Sequence, residues 1–252
     1  MAMDERGDGR RDVGEVFRGG GSVMENKSTE SVTAMPMSTA QEKTSDKATA
    51  KSTEKKLALV TCSTRPWRLN PFITSYVYEC ISPLAPSHVS INIIDLANPV
   101  LPLFDEPGIP AHAPADDGAA TTGYYVHAHT REWSLTVRRY DGFIFVTPQY
   151  NWSIPAGLKN ALDYLYHEWT GKVAGIVSYG SRGGGKAAGH LGQVLEGLRM
   201  KDVGRVGVRT RVDMVGEFER GGAVGEEDRR RWEEEGVREE LAELGREVMD
   251  KL

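Results

Sequence analysis

The sequence predicts an α/β domain in which five parallel strands carry helices on both faces. Three observations point there. Apolar runs of strand length alternate with helical segments along the middle of the chain. At residues 142–165 an uninterrupted apolar run, Gly142 to Val146, passes through TPQYNWSIPAGLKNALDYL, in which Leu158, Leu162 and Leu165 recur at helical spacing. The connections after strands are short and rich in glycine, hydroxyls, amides and arginine, the composition of ligand-holding loops beyond the carboxyl ends of strands.

The elements follow in order. Lys56 to Thr61 (KLALVT) reads as the first strand, residues 62–70 (CSTRPWRLN) as a loop, and Phe72 to Ile81 as a helix. Val89 to Leu96 makes a second strand, and Asn98 to Pro114 holds too many prolines for regular structure. A helix is expected from about Thr122 to Tyr140, then the strand from Gly142. Pro155 marks the start of the next helix, with Ser153 placed to offer an oxygen to its free amides. Lys172 to Ser178 is a fourth strand, followed by the glycine-rich residues 179–186 (YGSRGGGK) and a helix to about Met200. Arg205 to Val212 is a fifth strand, and a loop is expected between about Met214 and Gly225.

Outside this core the composition changes. Residues 1–56 contain one aromatic, Phe17, and ten basic against ten acidic side chains. Such a segment cannot bury a core and is expected to be a disordered low-complexity tail, neither polybasic nor acidic. Residues 57–216 form the predicted domain, with fourteen basic and thirteen acidic residues. Residues 217–252, an acidic loop and an amphipathic C-terminal helix, carry seven and thirteen. In that helix Trp232, Val237, Leu241, Leu244 and Val248 fall near one face, while Gly236 and Gly245 each cost about 1 kcal/mol, so it is expected to order only against the domain or a partner. Without a basic stripe, nucleic acid is not an expected partner. Apolar runs are too short to span a membrane. Two cysteines, Cys62 and Cys80, make neither a disulfide framework nor a metal motif, and a cytoplasmic location is expected.

Two loops carry the chemistry. The first joins Ser63, Thr64, Arg65, Arg68 and Asn70 ahead of a helix, a set of hydroxyls, amides and guanidinium groups suited to a terminal phosphate. Ser, Thr and Asn are equally at home as ordinary helix caps. The second, Pro148 to Trp152, supplies amides, carbonyls and aromatic faces that can hold a flat ring.

CSTRPWRLN followed by TPQYNWSIPAGLKNALDYL and then SYGSRGG resembles the NADPH-dependent FMN reductase family of flavodoxin-like proteins, over roughly residues 57–212. The resemblance implies a three-layer sandwich with strand order 2-1-3-4-5, bound FMN and NAD(P)H as co-substrate. By position it assigns the FMN phosphate to Ser63, Thr64, Arg65, Arg68 and Asn70. The isoalloxazine falls to Pro148, Gln149, Tyr150, Asn151 and Trp152. Closure over the other side of the flavin falls to the third loop, residues 178–184, with Ser178, Tyr179, Gly180, Ser181 and Gly183. It implies chemistry carried by FMN with no catalytic side chain, a quinone, free flavin or similar acceptor, and a homodimer or higher homo-oligomer. Arg182 or Arg68 is available for a 2′-phosphate.

Cys62 stands where the family has glycine, and Arg68 where a small residue is common. Gln149 replaces glutamate, removing a negative charge, so the flavin should more readily hold its reduced, anionic form.

Other readings compete. Gly180, Gly185 and Lys186 spell G-x-x-x-x-G-K, but Ala187 replaces the hydroxyl that a nucleotide hydrolase needs for Mg²⁺. A flavin-binding interaction module without turnover is a second class. His127 and His129, two apart on an expected helix, point to different faces and make a metal pair improbable. His88, His112, His167 and His190 read as isolated, Asp116 and Asp117 as a solvated pair, Cys62 as a packing residue, and Lys159 with Asp163 as a surface ion pair.

Overall fold

The computed structural model describes residues 54–98, 101–115, 118–211 and 224–252. The expected tail over residues 1–53, the Asp116–Asp117 pair and most of the loop at 214–225 lie outside the described residues.

Five strands form one parallel sheet: β1 (Lys55–Thr61), β2 (Val89–Asp95), β3 (Gly142–Pro148), β4 (Val173–Gly180) and β5 (Lys201–Arg209), in the spatial order β2-β1-β3-β4-β5. Lys55 and Lys56 thus belong to a strand rather than to the tail, and β5 begins four residues ahead of the expected Arg205. The order is the flavodoxin-like one, with its switch point between β1 and β3.

Strand alternation sorts the apolar residues into two cores. On one face Leu57, Leu59, Ile144, Val146, Val177 and Val208 meet α1 (Asn70–Ile81) through Ile73, Tyr76 and Val77. On the other, Ala58, Val60, Phe143, Phe145, Ala174 and Ile176 meet α3 (Ala128–Arg138), α4 (Ala156–Asp163) and α5 (Gly185–Gly197). Because both faces are covered, β1, β3 and β4 read as continuous apolar runs.

The single helix expected over 122–140 is two: α2 (Ala119–Tyr124) and α3, separated where Tyr125 and His127 turn extended. The break is held from outside. The buried Glu106 carboxylate accepts the amides of Val126 and His127 at 2.9 and 3.0 Å, and Arg131 donates to the carbonyls of Tyr125 and Val126. His127 therefore precedes the helix, and its ring stacks on that of His129 at 5.2 Å instead of diverging. Both rings turn to Asp105, His127 to its carbonyl and His129 to its carboxylate. Among the described residues no group of three His, Cys, Asp or Glu is placed to hold a metal.

The C-terminal segment also differs from expectation. It is two helices, α6 (Glu226–Glu234) and α7 (Val237–Asp250), divided at Gly236 with φ 76°. They complete the first layer beside α1. Trp232 is fully buried, lies 4.9 Å from the ring of Tyr76 and donates its indole N–H to the Arg209 carbonyl at 2.7 Å. Gly245 is required by close approach, since a Cβ there would sit 2.8 Å from the Ile81 side chain. Among the described residues no helix is long and apolar enough to cross a membrane.

At the foot of the sheet, burial and the neighbouring Arg138 push the Lys172 ammonium down to about 8 from its ordinary 10.5, while its Nζ donates to the Val137 carbonyl at 2.7 Å. The folded state holds this proton less tightly than the unfolded chain. The group therefore costs stability below pH 8, and the cost fades as pH rises from about 8 to 10.5. Lys172→Met is expected to gain about 1–2 kcal/mol at pH 7 and to lose that advantage at pH 10. Urea midpoints at the two pH values check this; an advantage that does not change with pH refutes it.

Candidate functional site

Three loops converge at the carboxyl ends of β1, β3 and β4. In the first, Cys62 is buried and its Sγ donates to the Val60 carbonyl at 3.3 Å. Burial, reinforced by Asp95, pushes its thiol well above the usual range, which disfavours the thiolate and leaves the side chain as packing. Ser63 is buried as well. Its amide donates to Asn70 Oδ1 at 2.6 Å, and Asn70 Nδ2 donates to the Val146 carbonyl at 2.9 Å, fastening the loop to the end of β3. The hydroxyls of Ser63 and Tyr150 lie 2.8 Å apart. No side chain caps α1, which begins with Leu69 at its N-cap and a proline in its first turn; Ser63, Thr64 and Asn70 are thus not its caps.

Thr64, Arg65, Pro66 and Trp67 stand exposed at the tip of this loop. The Arg65 guanidinium lies 3.6 Å above the Tyr150 ring. Arg68 turns the other way, one nitrogen onto the Asp95 carboxylate and another onto the Arg65 carbonyl at 3.2 Å. Asp95 ends β2, the strand beside β1, so its part here depends on strand order rather than on any local motif.

The second loop is a tight turn. Tyr150 and Ser153 exchange both backbone hydrogen bonds at 2.9 Å, and the two residues between them, Asn151 and Trp152, take φ values of 47° and 67°. Asparagine tolerates this conformation, whereas a bulky residue there is strained by about 1–3 kcal/mol and persists only when its surroundings impose it. Those surroundings come from α5. Gln149 Oε1 accepts the amides of Lys186 and Ala187 at 2.9 and 3.4 Å. Ser153 Oγ lies 2.5 Å from His190 Nδ1, and Lys186 Nζ lies 5.2 Å over the Trp152 ring. The outcome is an indole held 73% exposed. Ser153 is therefore spent on His190, and α4 starts at Ala156 with Pro155 at its N-cap and no side-chain cap, contrary to the expected role of Ser153. Lys159 and Asp163 form the expected pair, at 2.6 Å.

The third loop is shaped by glycine. Gly183 and Gly184 take φ values of 76° and 73°, and a Cβ on Gly184 would lie 2.8 Å from the Tyr179 backbone. Ser178 Oγ donates to the Gly183 carbonyl at 2.7 Å. Ser178 and Tyr179 are both buried; Tyr179 sits in the α1-side core, where burial first and then Tyr150 raise its phenol well above the usual range. Gly180 is half-buried, Gly183 buried and Ser181 exposed.

Two cavities flank the Tyr150–Ser153 turn. One, of about 430 Å³, is bounded by Thr64, Arg65, Tyr150, Asn151 and the first residues of α4. Gly157 is needed there, because a Cβ would come within 2.6 Å of Thr64. The other, of about 610 Å³, is bounded by Gln149, Trp152, Gly180, Ser181, Arg182, Gly184, Gly185 and Lys186. Both volumes suit small-molecule sites. The donor set fits FMN: hydroxyl and guanidinium at one end, and aromatic faces with backbone groups at the other. It does not fit a nucleotide hydrolase, since the amides of Lys186 and Ala187 are taken by Gln149 and the lysine lies over Trp152.

Residue-by-residue reading of the sequence missed Asp95, Gly157 and His190. Only His190 had a usable signal, four residues after Lys186 and hence on the same helix face.

The model of the NADPH-dependent FMN reductase family matches residues 55–211. An NAD(P)H-dependent FMN reductase of Saccharomyces cerevisiae is 41% identical over 165 residues, 64% of this chain and 83% of the yeast protein. One from Nectria sp. is 33% identical over 201 residues, 78% and 96% of the two chains. Among solved structures, a flavoenzyme NAD(P)H:(acceptor) oxidoreductase of Paracoccus denitrificans superposes with a TM-score of 0.53 at 17% identity, covering 78% of this chain and 98% of that one, a likeness of fold. With the three loops in place at the strand ends, these matches show that the chain belongs to the NADPH-dependent FMN reductase family.

Proposed function

We propose that this oxidoreductase binds FMN across the Tyr150–Ser153 turn and carries two electrons from NAD(P)H to a quinone, free flavin or similar small acceptor. The observation that carries the reading is the strained turn itself, braced from α5 by Gln149, Ser153 and Lys186 so that aromatic and backbone groups meet cavities on both sides. When bound, FMN supplies hydride acceptance from the reduced nicotinamide and two-electron delivery to the acceptor.

The protein's own part is positional. Thr64 and Arg65 offer a hydroxyl and a fork to the phosphate, and Ser63 fixes the loop through Tyr150. Asn70 braces that loop, and Arg68, already neutralised by Asp95, braces it too. Pro148, Gln149, Tyr150, Asn151 and Trp152 take the ring, and Ser178, Tyr179, Gly180, Ser181 and Gly183 hold the third loop against its other side. No acid, base or nucleophile is assigned; Cys62, the one nucleophile of the phosphate loop, is buried. The domain of residues 57–216 acts with the segment 217–252, as a homodimer in the reducing cytoplasm.

The purified chain should be yellow or turn yellow with FMN, and should then oxidise NADPH with a quinone present. A colourless protein without FMN affinity removes this reading, and a yellow one that oxidises no reduced nicotinamide is a flavin-binding module. Gln149→Glu keeps an acceptor for the α5 amides while adding negative charge, so the midpoint potential of bound FMN is expected to fall. A potential that stays level or rises would remove the electrostatic role of Gln149.

A further inference from the structure

We infer that the outer edge of β2, with the cavity of about 350 Å³ between β2 and α3, docks an extended peptide of a partner protein as an added strand, one apolar side chain entering the cavity and a basic one meeting Glu132. This surface holds none of the residues assigned to FMN and goes beyond the proposed function.

The two edges of the sheet are built differently. Along β5 the charges of Lys201, Asp202, Arg205 and Arg209 stand exposed, and the register against β4 shifts at Ala174 and Gly175, both devices that discourage pairing. The edge at β2 has neither. Val89 to Ile94 carries no charge and no proline, and its register against β1 runs unbroken from Val89 to Asp95. The Leu96 amide donates to the Thr61 carbonyl and the Lys55 amide to the His88 carbonyl, so the even-numbered positions turn toward β1. Ile91 and Ile93 therefore aim their amides and carbonyls outward. An uncharged, regular edge of this kind is a template for another strand.

The cavity lies where a side chain of that strand points. Ile94 and Leu96 pack with the second core and Ile91 with the first, so every other residue of an added strand faces α3. There Ile94, Leu96, Leu101, Trp133 and Tyr140 make an apolar wall suited to a phenyl ring. Charge decides what stands beside the ring. No lysine or arginine lines the cavity; Asp95 is spent on Arg68 and His129 turns to Asp105, whereas the Glu132 carboxylate has no partner among the described residues. A lysine two residues from the apolar one lies on the same face of the strand and supplies that partner. A second copy of this chain fits less well, since its own β2 brings Asp95 and no base.

The test uses the FMN-loaded full chain and a fluorescein-labelled peptide, Thr-Val-Phe-Val-Lys-Thr with a blocked carboxyl end, titrated by fluorescence anisotropy. Saturable binding is expected below about 1 mM. Exchanging the peptide's phenylalanine for alanine should weaken it about tenfold or more. Glu132→Lys should weaken the original peptide about fivefold and should prefer a peptide with glutamate in place of the lysine. Of two peptides N-methylated on alternate residues, the one methylated at the amides that face β2 should lose about tenfold or more, and the other less than about threefold. The Ile93 amide should exchange with solvent about tenfold or more slowly when the peptide is bound. No saturable binding up to about 1 mM, equal losses from the two methylated peptides, or an unchanged exchange rate at Ile93 would overturn the inference. So would a homodimer that the peptide splits in sedimentation, which would give this edge to a second copy.

Discussion

Deleting residues 226–252 is expected to leave a chain that does not fold, although every residue assigned to the FMN site lies upstream. The deletion removes α6 and α7, whose Trp232, Leu241, Leu244, Val248 and Met249 are buried in the first core. Truncating one such leucine costs about 2–5 kcal/mol and a tryptophan about 3–5. Their combined loss exceeds the roughly 5–15 kcal/mol that holds a domain together. It would also strip cover from β4 and β5 around Gly175 and Gly204, where Leu244 and Val248 come close. The milder variant Trp232→Ala should lower stability by about 3–5 kcal/mol, because it opens a cavity beside Tyr76 and leaves the Arg209 carbonyl without the indole N–H. Thermal and urea unfolding check both. A truncated chain that melts cooperatively and binds FMN would show that the C-terminal helices are an accessory.

That segment also shows how far local pattern carries. Helical periodicity placed Trp232, Leu241, Leu244 and Val248 on one face, and the structure buries that face. Nothing in the periodicity says which surface covers it. The receiving groups are a glycine-sized gap at Ile81 and an edge of the sheet defined by strands far away in sequence. The same limit explains the helix that divides at Tyr125: its amides are satisfied by Glu106, about twenty residues upstream in a proline-rich stretch with no period to read. Strands β1, β3 and β4 were legible because burial on both faces makes them continuous apolar runs. The turn at Tyr150–Ser153 was legible as a loop, but not as a strained one, since its positive φ at Trp152 is imposed by α5.

The candidate site divides similarly. Arg65, Gln149, Tyr150 and Trp152 stand where their loops suggested, at the strand ends. Arg68 carried a cation suited to phosphate, yet its charge goes to Asp95, because the 2-1-3-4-5 order sets the end of β2 beside that loop. A residue type declares what a side chain can bind, whereas the partner it meets depends on contacts across the sheet.

Asn70 is where this distinction has the largest consequence within the site. By family position it belongs to the phosphate set, whereas in the structure it is wholly buried and joins the Ser63 amide to the Val146 carbonyl. Asn70→Ala is expected to cost about 1–3 kcal/mol, since the buried Ser63 amide loses its acceptor, whereas the Val146 carbonyl keeps the Cys62 amide at 3.1 Å. It should also weaken FMN by about ten- to a hundredfold, because the loop bearing Thr64 and Arg65 is no longer fastened to β3. The two effects separate the roles. A residue that only touched the phosphate would leave the melting of the FMN-free protein unchanged and would lower stability only when FMN is present, by the binding it loses. A brace lowers both. Melting of the FMN-free variant, beside its FMN affinity from fluorescence quenching, therefore decides the matter: an unaltered FMN-free melt would return Asn70 to the phosphate and leave the loop held by Ser63, Tyr150 and Arg68 alone.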